Sequence, residues 1–301
     1  MSEIKDLSAV NDYSSKFNLS TLHPLVTVHD LSKGSWSLQK NAETVRYHFY
    51  GIFLKQGEAC VIRYGRQQYD YQDGTLVFVA PGQLIHVGHL KKDFKPSGHA
   101  LLFHPDLLLG TELAKKMNDF SFFSYASNEA LHISTKERKV ILDLFEKIQF
   151  ELEQNLDKHS KKLITANIEL FLGYCMRFYD RQFLTREIEN KSSMDKFESL
   201  LSDYFTSEKP LKYGLPTVAY FADSLHLSPN YFGDLVKKER GISAQEYIQH
   251  RMIHVAKNKM YDNDKTVSEI ANEMGFKYAQ HFSRMFKKAT GYSPNRYRSL
   301  N

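Results

Sequence analysis

Two stretches in the last third of the chain repeat one pattern, and this repeat decides the fold. The first copy opens with Val218-Ala-Tyr-Phe-Ala-Asp-Ser-Leu225 and the second with Val267-Ser-Glu-Ile-Ala-Asn-Glu-Met274. Each opening is followed by a turn, a second apolar segment, a Lys-Lys pair and a glycine, which is Gly241 in the first copy and Gly291 in the second. The two glycines are 50 positions apart. Self-similarity at such a period indicates a tandem supersecondary unit.

The repeated unit has the pattern of a helix-turn-helix. In the second copy, apolar residues recur at helical spacing from Val267 to Met274 and stop at Gly275, a residue suited to the left-handed position that ends a helix. A second apolar set at the same spacing begins at Phe282. In the first copy, Ser228 is the predicted N-cap of the second helix, with a proline directly after it. Two short amphipathic helices joined by a tight turn form a helix-turn-helix. We therefore predict such motifs over residues 217–238 and 267–288.

A longer helix is predicted between the two motifs. Ser243-Ala-Gln-Glu246 is a capping box, and the helical pattern continues to about Met260. At 1.5 Å per residue the connector is about 27 Å long. Successive major-groove faces of B-DNA are about 34 Å apart, so a connector of this length would place the two second helices in adjacent grooves.

The same residues resemble the DNA-binding domain of AraC/XylS-type transcription regulators. The resemblance covers roughly the last hundred residues and is carried by four segments: Arg251-Met252, Gly275-Phe276, His281–Lys288 and Gly291–Arg298. It implies a regulator that binds double-stranded promoter DNA, commonly as a homodimer. RNA polymerase is a further candidate partner.

Matching the motifs residue by residue gives candidate DNA contacts. The predicted base-facing positions are Asn230, Gly233, Asp234, Ala279, Gln280, Ser283 and Arg284. The predicted phosphate contacts are Lys237, Lys238, Lys287, Lys288 and Arg298. The copies are unequal, because glutamine and arginine suit adenine and guanine edges whereas an aspartate accepts only from a cytosine amino group. We expect the first copy to contribute mainly placement or indirect readout.

Charge and composition agree with this interpretation. Residues 1–190 carry equal numbers of acidic and basic side chains, so the whole net charge of +5 lies in residues 191–301, as a phosphate-contacting module requires. A hydrophobic content of 42% excludes general disorder. We find no secretory leader and no apolar run that would span a membrane. The two cysteines, Cys60 and Cys175, are predicted to be reduced structural thiols in a cytoplasmic protein.

The N-terminal part is predicted to be a β-barrel with attached helices, which makes the whole chain α+β. Turn residues separate short predicted strands between about Leu22 and Phe103, a spacing that favours a sandwich or barrel. These strands are Tyr47–Leu54, Ala59–Tyr64, Gln67–Tyr71, Leu76–Ala80, Ile85–Gly88 and His99–Phe103. The segment Asp73–His86 resembles the second motif of cupin-like barrels, the usual effector domain of AraC-type regulators.

We expect this barrel to bind a small-molecule effector of unidentified class. The candidate effector contacts are Trp36, Arg46, His48, His86 and His99. Each also has a structural interpretation: Trp36 as core packing, Arg46 as an ion pair and His86 as a turn-stabilising hydrogen bond. Cupin enzymes hold a metal with a His-x-His pair and a downstream glutamate, which this sequence lacks. We therefore predict no metal, no cofactor and no enzymatic activity.

A helical hairpin is predicted over about residues 134–180. A capping box at Ser134–Glu137 opens its first helix, and the second begins near Lys161. The first helix carries the apolar set Val140, Ile141, Leu144, Phe145, Ile148 and Leu152. The second carries Leu163, Ile164, Ile168, Leu170, Phe171, Cys175 and Phe178. This hairpin is either the dimer contact that the resemblance implies or a lid packed on its own barrel. The predicted domains are 1–180, a linker over 181–193, and a DNA-binding domain over 194–301 whose first helix spans Met194–Phe205.

The sequence thus predicts a ligand-responsive, sequence-specific transcription regulator. Two alternatives stay open. One is a cupin-type metalloenzyme fused to a DNA-binding domain. The other is a regulator whose barrel binds a protein partner in place of a small ligand.

Overall fold

The structure is a computed structural model, and it describes residues 4–35, 43–56, 62–63, 74–87, 96–126, 129–185, 187–261 and 264–300. It divides into two compact units, Met1–Thr185 and Arg186–Asn301. The first combines strands and helices and the second is helical, so the α+β class predicted from the sequence is confirmed.

The strands of the first unit form two sheets. The described strands are β1 (Ile4–Leu7), β2 (Val26–Asp30), β3 (Glu43–Tyr47), β4 (Tyr50–Gln56), β5 (Ile62–Arg63), β6 (Thr75–Val79), β7 (Leu84–Val87), β8 (Ser97–Phe103) and β9 (Leu131–His132). One sheet has the order β1-β3-β7-β5 and the other β2-β8-β4-β6-β9. Strands β1 and β3 are parallel, and every other pairing described is antiparallel.

The two sheets share one apolar core. Leu7, Val45 and Ile85 contribute to it from the four-stranded sheet, and Ala100 and Leu102 from the five-stranded sheet. Because successive side chains of a strand point to opposite faces, the alternate residues of β8 face away from this core. The five-stranded sheet is therefore covered on both faces, by the other sheet and by helices.

The helices fall into both units. Those of the first unit are α1 (Val10–Lys16), α2 (Pro105–Leu108), α3 (Glu112–Lys116), α4 (Thr135–Glu153) and α5 (Ser160–Thr185). Those of the second are α6 (Glu187–Thr206), α7 (Lys209–Tyr213), α8 (Val218–Ser224), α9 (Pro229–Arg240), α10 (Ala244–Met260), α11 (Val267–Glu273), α12 (Ala279–Thr290) and α13 (Pro294–Leu300).

Helices α4 and α5 form the predicted hairpin against the outer face of the five-stranded sheet. The capping box at Ser134 and Glu137 is confirmed, with the Ser134 Oγ accepting from the Glu137 N–H. Phe145 packs its ring 5.4 Å from that of His99 on β8. Leu163 and Leu170 were predicted to belong to the apolar face of α5, yet they are 46% and 47% exposed. The buried stripe of α5 is narrower than the sequence suggested and runs through Ile164, Ile168 and Phe171.

One strand prediction was wrong at its boundaries. The predicted strand Tyr47–Leu54 is two strands, since the chain leaves β3 at Tyr47 and enters β4, in the other sheet, at Tyr50. The predicted linker 181–193 is helical where the structure describes it, in the end of α5 and the start of α6. That range has neither glycine nor proline and is rich in good helix formers, which explains why its polarity did not break the helix. The predicted strand Gln67–Tyr71 lies outside the described residues.

Candidate nucleic-acid interface

The second copy of the repeat folds as two capped helices. Helix α11 begins at Thr266, whose hydroxyl accepts from the Glu269 N–H while the Glu269 carboxylate accepts from the Thr266 N–H. It ends at Gly275, which has φ +88° and so takes the left-handed position predicted for it. Helix α12 follows and ends at Gly291, whose φ is +79°. The glycines fix where both helices stop.

The first copy is built in the same way. Thr217 caps α8, and the Ser228 hydroxyl accepts from the Tyr231 N–H at 3.2 Å to cap α9. The predicted N-cap is confirmed. Helix α9 ends at Gly241 with φ +73°, the counterpart of Gly291. In the second copy the equivalent cap position holds Tyr278, which makes no side-chain cap.

Equivalent apolar residues hold each pair of helices together. Phe232 in α9 and Phe282 in α12 are both fully buried, as are Phe221 in α8 and Ile270 in α11. The Phe232 ring packs 4.9 Å from that of Phe197 in α6. Helix α6 is thus part of the core of the first motif. Burial of one face of each second helix leaves its opposite face to solvent.

The predicted base-facing residues lie on these opposite faces. Gln280 and Arg284 are exposed and one turn apart on α12, with Ser283 half-buried beside them. Ala279, also half-buried, opens the helix. On α9 the equivalent residues are Asn230, which is exposed, and Gly233 and Asp234, which are half-buried.

The predicted phosphate contacts differ in their surroundings. Lys237, Lys238, Lys287 and Lys288 are exposed near the C-terminal ends of α9 and α12. Arg298 is half-buried, and its Nε donates to the Met260 carbonyl at 3.2 Å, at the end of α10. Part of its guanidinium therefore holds α13 to α10.

A polar cluster fixes α6 to the first motif. Both the Tyr247 hydroxyl and the Arg240 guanidinium donate to one oxygen of Glu198, at 2.7 Å and 2.5 Å. The Tyr247 hydrogen bond, followed by that of Arg240, outweighs the opposing effect of burial and lowers the pKa of Glu198. Glu198 stays ionised, and this cluster serves structure at the edge of the motif.

The sequence did not reveal one contact, which joins the end of α7 to the second motif. Gly214, which follows α7 with φ +80°, lies against Gly275 in the turn of the second motif. A Cβ on Gly275 would stand 2.6 Å from the Gly214 carbonyl oxygen. The Tyr204 hydroxyl donates to the same oxygen at 3.0 Å. The only signal in the sequence was glycine at both positions, and neither gives a partner for the other.

The candidate effector residues of the first unit are not brought together. The Arg46 guanidinium and the His48 ring share the Asp6 carboxylate, at 3.5 Å and 3.0 Å, on the four-stranded sheet. His86 pairs with Thr44 through the backbone of β7. His99 lies on the five-stranded sheet and faces α4. Trp36 lies outside the described residues.

Neither a metal cluster nor a membrane span is found in the described part of the chain. No group of three or more His, Cys, Asp or Glu side chains is arranged there to hold a metal ion. No helix there combines the length and the apolar character needed to cross a bilayer.

Two helix-turn-helix motifs joined by one helix define the class of the second unit, a DNA-binding domain with two candidate reading helices. Comparison with known proteins agrees: residues 221–299 match the family model described as "Helix-turn-helix domain". The second unit thus resembles the DNA-binding domain of AraC/XylS-type transcription regulators in its motifs, and it is similar to relatives named as transcription regulators.

Three relatives illustrate the relationship. The chain is 40% identical over 82 residues to the uncharacterized regulator YtdP of Bacillus subtilis (27% of this chain, 11% of YtdP). It is 26% identical over 167 residues to the uncharacterized regulator YijO of Escherichia coli (56% of this chain, 55% of YijO). It is 26% identical over 149 residues to the transcriptional activator RhaS of an Enterobacter species (49% of this chain, 50% of RhaS). The chain thus spans at most about half the length of these relatives.

Proposed function

We propose that the chain is a sequence-specific transcription regulator whose two helix-turn-helix motifs read adjacent major grooves and whose first unit senses a small molecule. The observation that carries the DNA-binding part is the repeated placement of α9 and α12. Each buries one face on its own motif, exposes polar side chains on the other, and ends in a Lys-Lys pair. A reading helix of this kind contacts base edges while neighbouring cations hold phosphates.

We assign most of the base discrimination to α12. The planar Arg284 guanidinium can donate two hydrogen bonds, to the O6 and N7 atoms of guanine. The Gln280 amide can accept from the N6 amino group of adenine and donate to its N7 atom. Both side chains are exposed. A good bidentate pair discriminates against a wrong base by about 1–3 kcal/mol.

Helix α9 is proposed to contribute placement more than sequence readout. Gly233 offers no side chain, and the Asp234 carboxylate repels phosphate and is matched to the amino group of cytosine. Asn230 is the one fully exposed residue among the three predicted base contacts of this helix, and its amide can both donate and accept. The lysines behind it, Lys237 and Lys238, then supply sequence-independent phosphate attraction.

The connector supports simultaneous docking of both motifs. Helix α10 has 17 residues, which corresponds to about 26 Å at the rise of an α-helix. Adjacent major-groove faces are about 34 Å apart. Since each flanking helix adds about 10 Å of width, a connector of this length is compatible with docking of both reading helices on one face of a duplex.

Two substitutions on α12 test this assignment. Arg284→Ala removes a base contact, so it should lower the preference for the target sequence while non-specific binding persists. Lys287→Ala, its matched control one turn or less away, should weaken binding to all sequences alike and flatten the salt dependence. Both are read by fluorescence anisotropy at several salt concentrations. Specific binding that both variants retain in full would overturn the docking assignment.

The first unit supports a sensor role by its architecture. Two sheets packed on a shared core are compatible with the cupin-like barrel that the sequence motif suggests. Such a fold can hold one small ligand. Since the related proteins are transcription regulators, we propose that this chain is a regulator with no enzymatic activity, acting in the cytoplasm on DNA. A protein partner is the alternative occupant of this unit.

Dimerisation through α5 is proposed as part of the same function. Leu163, Leu170 and Leu184 are spaced by seven and fourteen positions and are 46%, 47% and 78% exposed, while the exposed Arg177 occupies the position between Leu170 and Leu184. A seven-residue apolar repeat is typical of a helix that pairs with another. Leu170→Lys should therefore yield monomers in sedimentation measurements, whereas Leu156→Lys, at a 59% exposed leucine off this helix, should not. Unchanged assembly of Leu170→Lys would contradict the proposal.

A further inference from the structure

A cavity lies on the outer face of the five-stranded sheet, away from the core that the two sheets share. It has a volume of about 460 Å³ and is lined by β2, β8, the segment after α1 and one side of α4. We call it the outer-sheet cavity and define it by Val28, Asp30, His99, Phe145, Glu146 and Glu153. Its volume is within the range of small-molecule sites, about 300–1,000 Å³.

The apolar part of the outer-sheet cavity is contributed by Leu19, Val28 and Phe145. Phe145 is itself buried, because its ring packs on His99 and, at 5.0 Å, on Phe171 of α5. Leu19 and Val28, which are only half-buried, therefore offer the apolar surface for the hydrocarbon part of a ligand.

The charged part is acidic. Among the described residues, three carboxylates line the cavity against one ammonium group, that of Lys33, which is 79% exposed and 4.0 Å from the Asp30 carboxylate. Although burial acts to raise it, the hydrogen bonds from the Ser32 hydroxyl and N–H lower the pKa of Asp30, so this carboxylate stays ionised. Burial lowers the pKa of His99, and it lowers that of His29 to about 4. At neutral pH the lining therefore carries two more negative than positive charges.

Hydrogen bonds hold two of the three carboxylates in position. Asp30 is the N-cap of the turn that follows β2, and its carboxylate accepts a hydrogen bond from the Ser32 N–H at 3.0 Å. The Gln149 amide donates to Glu153 at 2.7 Å. Glu146 is exposed on α4, one turn before Gln149 and two turns before Glu153. Carboxylates beside apolar side chains favour a ligand that combines a cationic head with a hydrocarbon body.

We propose that the outer-sheet cavity binds a small organic amine, with its ammonium group between Asp30 and Glu146 and its hydrocarbon part on Leu19 and Val28. This inference rests on the proposed sensor function of the first unit and names its site and ligand class. Helix α4 forms one wall of the site and packs on α5 through Phe145 and Phe171, so ligand binding would reach the hairpin that carries the exposed leucines.

The test uses the full chain in phosphate buffer and three amines, phenethylamine, hexylamine and cadaverine. Their uncharged counterparts phenethyl alcohol, hexanol and pentanediol are matched controls. At least one amine should raise the unfolding temperature saturably, and its alcohol should not. Glu146→Gln removes one charge-assisted contact and should weaken amine binding about tenfold. Asp143→Asn makes the same change of charge at an exposed position of α4 outside the lining, and it should leave binding unchanged.

Absence of stabilisation by all three amines, or equal stabilisation of Glu146→Gln, would overturn the inference. The sensor proposal fails separately. If another class of compound stabilises wild type and Glu146→Gln alike and changes DNA binding, the chain is a sensor with a different site. If no small molecule changes DNA binding, the sensor proposal itself is wrong.

Discussion

Gly275→Ala tests the contact that joins the second helix-turn-helix motif to the end of α7. The substitution has two costs. An alanine at φ +88° costs about 1–2 kcal/mol because its Cβ crowds the backbone in the left-handed region. The added Cβ would also stand 2.6 Å from the Gly214 oxygen, 2.7 Å from the Gly214 carbonyl carbon and 3.0 Å from the Pro210 oxygen. All three are backbone atoms, so no side chain can swing away.

The second cost is that of overpacking, about 1–3 kcal/mol when the backbone has to shift. Gly275→Ala should thus destabilise the second unit by about 2–5 kcal/mol in total. Gly241→Ala and Gly291→Ala are matched controls, since both glycines have a similar positive φ and an added Cβ would meet no neighbouring atom within 4 Å. They should cost only the conformational part, about 1–2 kcal/mol.

The assay is urea unfolding of the full chain followed by far-ultraviolet circular dichroism. Gly275→Ala should lower the midpoint of the helical transition by more than Gly241→Ala or Gly291→Ala does. If Gly275→Ala lowers the free energy of unfolding by no more than the two control substitutions do, the backbones at Gly214 and Gly275 are not in close contact, and the reasoning is refuted.

Two further predictions concern local stability. Ser243→Ala removes the capping box of α10, in which the Ser243 hydroxyl accepts from the Glu246 N–H. It should lower the free energy of unfolding in urea by about 1 kcal/mol. Ser243→Thr keeps the hydroxyl and should cost less, and equal losses for the two variants would exclude the cap as the cause. Burial lowers the pKa of His29 to about 4. Between pH 6.5 and 4, His29 is therefore protonated in the unfolded chain and neutral in the folded chain. Stability present at neutral pH should therefore decline as the pH falls from 6.5 to 4, by on the order of 1–3 kcal/mol for this group. His29→Gln should flatten that decline in pH-dependent unfolding, and an unchanged slope would contradict the assignment.

The second unit was predictable from the sequence because its signals are local. The caps at Ser228 and Ser243 and the left-handed residue Gly275 each fix a helix end within a few positions, and the structure has all three. Repetition made these signals stronger, since each motif supported the interpretation of the other. The contact between Gly214 and Gly275 was missed because it joins residues 61 positions apart.

The first unit was harder to predict from the sequence, because its strand order depends on pairing between residues that are far apart in the chain. Strand β1 pairs with β3 in parallel, and nothing in a four-residue segment indicates its partner. The change of sheet between Tyr47 and Tyr50 lies inside a continuous apolar run, so the sequence shows one strand where there are two. Periodicity also counted Leu163 and Leu170 as core, because an apolar residue at helical spacing looks the same whether it faces a sheet or solvent.

The outer-sheet cavity could not be predicted from the sequence either. Its carboxylates, Asp30 on one side and Glu146 and Glu153 on the other, are more than a hundred positions apart. Of the predicted effector contacts that the structure describes, only His99 lines it. The predicted effector contacts were mainly histidines and an arginine. The acidic side chains of α4 have the pattern of an ordinary solvated helix face and were therefore not predicted to bind a ligand.

Selection of DNA targets from a random-sequence pool tests the central claim most directly. Wild type should enrich two sequence blocks about one helical turn apart, roughly 10 base pairs, with more base preference in the block read by α12. Arg284→Ala should lose preference in that block alone, and Lys287→Ala should enrich the same sequences with lower yield. Enrichment of no common sequence, or of an unchanged one by Arg284→Ala, would contradict the proposal that the repeated motifs read DNA through α9 and α12.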